Sequence, residues 1–195
     1  MLKKNNYCIN NVIPKKGIVI MHFQPYGPFE LPRFKTGLIS TDKNQQKGFW
    51  QEIEEVEEGL SSAVGCYIFS VRAGRGVLPW YVGMAEKQSF SKECFQPHKI
   101  NHYNNSIAAR KGTPLLTFLP KLTPNKNFSK VCENGHREIK LLEKLLIGSA
   151  ILRNRNLRNI KDTKILREMI VPGIINTPIG GQSSTVIEFR SLLGL

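Results

Sequence analysis

Residues 64–83 read VGCYIFSVRAGRGVLPWYVG, and this stretch decides the fold. The run from Val64 to Arg72 is rich in β-branched and aromatic residues and reads as a strand. Ala73-Gly74-Arg75-Gly76 is turn chemistry, and Val77 to Gly83 reads as a second strand with Pro79 near its start or on an edge. Together they predict a hairpin. Alternate side chains of a strand share a face, so Tyr67 goes with Phe69 and Val71, opposite Cys66 and Ile68. The tripeptides Gly65-Cys66-Tyr67 and Tyr81-Val82-Gly83 thus bring a tyrosine from each of two adjacent strands toward one spot. Alone, either tyrosine is an ordinary strand aromatic.

Downstream of the hairpin, residues 89–96 and 98–110 read as helix broken at Pro97, PLLTFL at 114–119 as a third strand, and 120–134 as a polar loop. Residues 136–153 are strongly helical, and a last helix is expected near 184–193 with Ser183 or Ser184 as its cap. Upstream, KGFWQEIEEVEEGL at 47–60 spaces Trp50, Ile53, Val56 and Leu60 as the buried edge of an amphipathic helix, its acids forming a solvated face. Residues 1–46, including the apolar run Gly17–Met21, read as an irregular arm with one or two short strands. Strands and helices alternate too irregularly for a doubly wound sheet. The expected class is α+β, a small three-stranded sheet flanked by helices. The expected divisions are an arm and acidic helix over 1–61, a core over 62–165 and a C-terminal extension over 166–195.

The charge balance narrows the function. Lys and Arg total 28 against 15 Asp and Glu, a net +13, which points first to nucleic acid. Glu52, Glu54, Glu55, Glu57 and Glu58 crowd one segment, leaving the rest more basic still. No apolar run is long enough to span a membrane, and no secretory signal is read at the start. The widely spaced Cys8, Cys66, Cys94 and Cys132 fit neither zinc nor a disulfide scaffold, and read as reduced thiols in a cytoplasmic protein.

One acid stands apart. On a helical wheel referenced to Ile139, the side chains of Leu142, Leu146, Ile147 and Ala150 lie within about 80°, and Glu143 falls at about 40°, inside that apolar arc. A carboxylate there is costly unless it is paired or binds metal. Glu138 lies outside the arc and reads as a solvated first-turn acid. His136 and His22 lack partners at metal-ligand spacing and read as surface or capping residues. Basic residues cluster at Arg153, Arg155, Arg158, Lys161 and Lys164, and at Arg110, Lys111, Lys121, Lys126 and Lys130, which suits phosphate contact.

Gly65-Cys66-Tyr67, an intervening hairpin, Tyr81-Val82-Gly83, the helical Glu143 and the later Asn159 together resemble the signature of the GIY-YIG nuclease family. Cys66 and Val82 stand at its apolar middle positions. The resemblance implies a metal-dependent DNA endonuclease, restriction-like in its lack of room for a separate DNA-binding domain. Glu143 would hold Mg²⁺ or Mn²⁺, and Tyr67, activated by the metal, a nearby cation or Tyr81, would accept the proton of the attacking water directly or through a hydrogen-bonded neighbour. The family's usual Arg on the helix after the second tripeptide is missing: Lys92 and Lys99 compete for its place. Lys99 with His102 or Tyr103 would stabilise phosphate charge, and Asn159 would hold the active-site surface or the substrate strand. DNA is the expected partner, no membrane is, and the flanks leave scope for a homodimer. The alternative is a GIY-YIG-fold protein that binds nucleic acid with catalysis impaired.

Overall fold

The computed structural model describes residues 20–74, 76–107, 112–159, 163–177 and 180–195. In chain order the elements are strands β1 (His22–Phe23) and β2 (Tyr26–Glu30), helix α1 (Lys43–Val56), strands β3 (Gly65–Ala73) and β4 (Gly76–Ala85), helices α2 (Phe90–Glu93) and α3 (Pro97–Ile107), strand β5 (Thr113–Leu122), and helices α4 (Arg137–Arg153), α5 (Thr163–Glu168) and α6 (Ser184–Leu192). The architecture is mixed α+β, an antiparallel sheet flanked by helices.

The expected hairpin of β3 and β4 forms, with Tyr67 opposite Gly83 and Phe69 opposite Tyr81. β5 pairs with the other edge of β3. The expectation of three strands is corrected here: β1 and β2 both pair with the outer edge of β5, giving five strands. That edge would otherwise leave backbone groups unpaired. The two arm strands are too short, and Gly27-Pro28 too disruptive of their alternation, to announce the pairing in sequence.

The two faces of the sheet are covered by different helices. Tyr67, Phe69, Tyr81, Leu116 and Phe118 face a core with Phe49 and Ile53 of α1, Phe90 of α2, and Ile100 and Tyr103 of α3. On the opposite face, Val82 packs against Ile147, Ala150 and Ile151 of α4, and Cys66 against Ile139.

Helix boundaries follow caps. α1 starts earlier than its apolar spacing suggests, because Asp42 accepts the Gln45 N–H at 2.9 Å. Its inner face is Gln46, Phe49 and Ile53, whereas Val56, expected on the buried edge, is exposed and Leu60 sits in a separate helical turn. Its acids are not all solvated. Burial alone would raise the Glu54 pKa, but hydrogen bonds from Ser61 and Gly59 hold it below the usual carboxylate value. Pro97 begins α3, where its missing N–H costs nothing. Ser183 caps α6 by accepting from the Val186 N–H. Helix α5 has no counterpart in the sequence reading, because six residues carry no periodicity.

No helix of the described residues is long and apolar enough to cross a membrane. Cys66, Cys94 and Cys132 are free thiols, while Cys8 lies outside the described residues. So do Gly17–Val19 of the arm's apolar run and Arg110, Lys111 and Lys161 of the basic clusters.

Candidate functional site

An open groove of about 740 Å³ lies beside the outer edge of β4, lined in part by Tyr81, Glu86, His102, Glu143, Arg158 and Asn159. These side chains come from β4 and the turn after it, α3, α4 and the segment after α4. Of the residues singled out in sequence, Tyr81, His102, Glu143 and Asn159 therefore meet at one surface.

Tyr81 is held from two sides. Lys99 Nζ donates to its hydroxyl at 2.8 Å, and the His102 imidazole stacks on its ring with centroids 5.1 Å apart and planes 12° from parallel. Lys99, His102 and Tyr103 share one face of α3 by helical spacing. Lys99 is only 8% exposed, and its ammonium also meets Glu93 Oε1 at 2.9 Å. Desolvation alone would lower its pKa, but Tyr81 and Glu93 raise it, so the ammonium stays charged. Its buried charge is spent on Glu93 and Tyr81. Lys92 is exposed and does not line the groove. Burial raises the Tyr81 pKa, Lys99 pulls it down, and Glu143 and Glu93 push it up, with a net rise.

Tyr67 and Tyr103 stand behind Tyr81, each 0% exposed, and neither lines the groove. The Tyr67 ring lies across the backbone of Gly83, where any Cβ would collide with it. Gly65 is constrained in the same way by the Leu119 carbonyl of β5. Both tripeptide glycines thus permit close approach. The Tyr67 and Tyr103 hydroxyls are near each other without a full hydrogen bond, and both are buried without partners among the described residues. Burial, with Tyr103, Cys94, Tyr81 and Glu93 nearby, drives the Tyr67 pKa well above the ordinary phenol value. A water in the groove does not reach this hydroxyl, which bears directly on the proton-accepting role the resemblance implies for it.

His102 is half-buried and its pKa is lowered from 6.5, by desolvation first and then by Lys99, His98 and Arg158. Its imidazole is therefore neutral around neutral pH, and it faces the groove.

Glu143 enters from α4, partly buried beside Ile147. Its negative potential contributes to raising the pKa values of Cys66 and Tyr81, after burial in each case. Glu138, read as a solvated acid, instead pairs with Lys121, because α4 starts beside β5. His136 caps no N–H with its side chain and reaches Lys121 and the Lys130 carbonyl.

Asn159 is a backbone clamp. Its Oδ1 accepts the Val82 N–H at 2.9 Å and its Nδ2 donates to the Val82 carbonyl at 2.8 Å. Asn154 Nδ2 donates to the Pro79 carbonyl and Arg158 N–H to the Trp80 carbonyl, both at 2.7 Å. The segment after α4 therefore satisfies the open edge of β4 in place of another strand.

Four charged groove residues escaped the sequence reading of the site: Glu86, Lys140, Lys144 and Arg158. Arg158, grouped there with general phosphate-binding cations, projects into the groove and donates from Nη2 to the Asn105 carbonyl at 2.8 Å. Its place beside Asn159 in NLRN was the available signal. Glu86, three residues after Gly83, pairs with Lys140 at 3.2 Å and accepts the His136 N–H. Among the described residues no group of three His, Cys, Asp or Glu side chains forms a metal cage. The groove itself carries two carboxylates, Glu86 and Glu143. A hard divalent ion is commonly bound through one or two carboxylates with retained water, so this donor set is compatible with one.

No family model matches the chain, and neither the curated proteins nor the solved structures contain a match to it.

Proposed function

We propose that the protein is a metal-dependent endonuclease that hydrolyses phosphodiester bonds in DNA with the groove along β4. The observation that carries this reading is the convergence of Tyr81, His102, Glu143 and Arg158 on one open, cation-lined groove. A base, a hydroxyl donor, a carboxylate and a guanidinium are the parts that phosphodiester hydrolysis needs. The net charge of +13 supplies attraction to the polyanion.

In this reading Glu143, with Glu86 of the same groove, would hold Mg²⁺ or Mn²⁺, which would neutralise phosphate charge when bound. Arg158 and Lys144 grip the phosphate oxygens, and the Arg158 fork suits two oxygens at once. His102, neutral and groove-facing, takes the proton from the attacking water. Tyr81 Oη already accepts from Lys99, so its own O–H is left to donate toward the phosphate or the leaving oxygen. Lys99 is then a positioning residue, and Asn159 fixes the strand that carries Tyr81.

A second reading, a binding protein of this fold with catalysis impaired, is favoured by one observation: the Tyr67 hydroxyl is sealed away from the groove. Incubating supercoiled and branched DNA with Mg²⁺ or Mn²⁺ separates the two. Metal-dependent cutting lost in Glu143→Ala supports the nuclease. Tight, salt-sensitive binding with no cutting of any substrate supports the binder.

A further inference from the structure

We propose that the groove continues past Arg158 into a subsite that takes one unpaired base of a nucleic-acid strand, beside the bound phosphate; this rests on the phosphodiester reading above. A second hollow, of about 630 Å³, shares His102 and Arg158 with the groove. That volume lies in the range of roughly 300–1,000 Å³ that holds small ligands. Trp80, Asn105, Asn156, Lys164 and Arg167 line it, and no carboxylate does among the described residues. Its charge therefore suits an anion, and its surface suits a flat, hydrogen-bonding one.

Three details point to a base. Among the described residues the hydrogen bonds of Asn105 and Asn156 use backbone atoms, so both carboxamides keep their donors and acceptors. A carboxamide matches the N6/N7 edge of adenine. Arg158 lines both hollows and its guanidinium is fixed there, with Nη2 donating to the Asn105 carbonyl at 2.8 Å. Trp80 lines it with the 5% of its surface that is exposed, and the half-buried His102 imidazole is the more open aromatic side chain. A base can enter such a recess only when it is out of the duplex stack, so unpaired or readily extruded positions are the substrate.

The test uses the full chain and fluorescent five-nucleotide single strands of thymidine with either adenine or an abasic site at the centre. Anisotropy is read in EDTA, so that nothing is cut. The adenine strand is expected to bind about tenfold tighter than the abasic one. That ratio should fall toward one in Asn105→Ala/Asn156→Ala, with unchanged circular dichroism and melting, since both residues are exposed. Asn105→Asp, which keeps the shape and loses the donor, should reduce it as well. Equal binding of the two strands by the native chain, or an undiminished ratio in the variants, overturns the subsite. Metal-dependent cutting by native chain and Glu143→Ala is measured separately. Intact cutting without base discrimination sinks the subsite alone, whereas discrimination without cutting sinks the nuclease reading and leaves the subsite standing.

Discussion

A side chain at position 83 would have to share space with the Tyr67 ring, so the glycine of the second tripeptide and the tyrosine of the first are steric complements. Gly83→Ala is expected to destabilise the fold by about 1–3 kcal/mol through overpacking, measured by denaturant unfolding. Tyr67→Phe has the opposite expectation. It deletes a buried hydroxyl without a partner, so stability should rise by about 1 kcal/mol, and cutting should stay within a few-fold of native. A large loss of cutting in Tyr67→Phe with its fold intact would restore that hydroxyl to the chemistry. Lys99 is bound to a different partner set. Lys99→Met strands Glu93 in a buried place and should cost about 3–5 kcal/mol, and adding Glu93→Gln should recover much of it. For His102, the folded pKa lies below 6.5, and the base form is the neutral one, so cutting should rise with pH through that lowered value and be level near neutrality. His102→Gln should abolish the inflection. An unchanged pH profile in that variant would remove His102 from proton transfer.

Asn159 turns the loop after α4 into a substitute edge strand for β4. Asn159→Ala should cost about 1–3 kcal/mol and speed hydrogen exchange at the Val82 amide, which loses its acceptor. Exchange at Val82 left at the native rate would show that the clamp does not hold the edge in solution. The elements legible in sequence were those with strong local signals: the hairpin from its alternation and glycine turn, α4 from its periodicity, α6 from its serine cap. β1 and β2 were not placed because two and five residues around Gly27-Pro28 carry too little pattern to name a partner strand. Glu143 was legible because a carboxylate on an apolar helical stripe violates local expectation. Arg158 was not, because a surface-type cation in a basic run obeys it, and only tertiary packing against Trp80 and Asn105 turns it into the groove. The same packing hid the burial of Tyr67, since strand alternation gives a face but not a depth.

The charge of the chain as a whole sets how it meets a polyanion. With a net +13, affinity for DNA should fall steeply with salt, and Arg158→Ala should lower the slope of log affinity against log salt by about one. A slope unchanged in that variant would place Arg158 off the phosphate path. The two sheet faces divide the work: α1, α2 and α3 build the core that fixes Tyr81, Lys99 and His102, while α4 brings Glu143 to the same edge from the other side. On the proposed reading, cutting at the β4 edge depends on both layers. The most direct test of that claim is single-turnover cutting of labelled DNA with Mg²⁺, by native chain and Glu143→Gln, with binding followed in parallel. The account predicts a rate lowered at least about a hundredfold in the variant, with affinity held within about threefold. Cutting at the native rate by Glu143→Gln, or no metal-dependent cutting by the native chain, would contradict it.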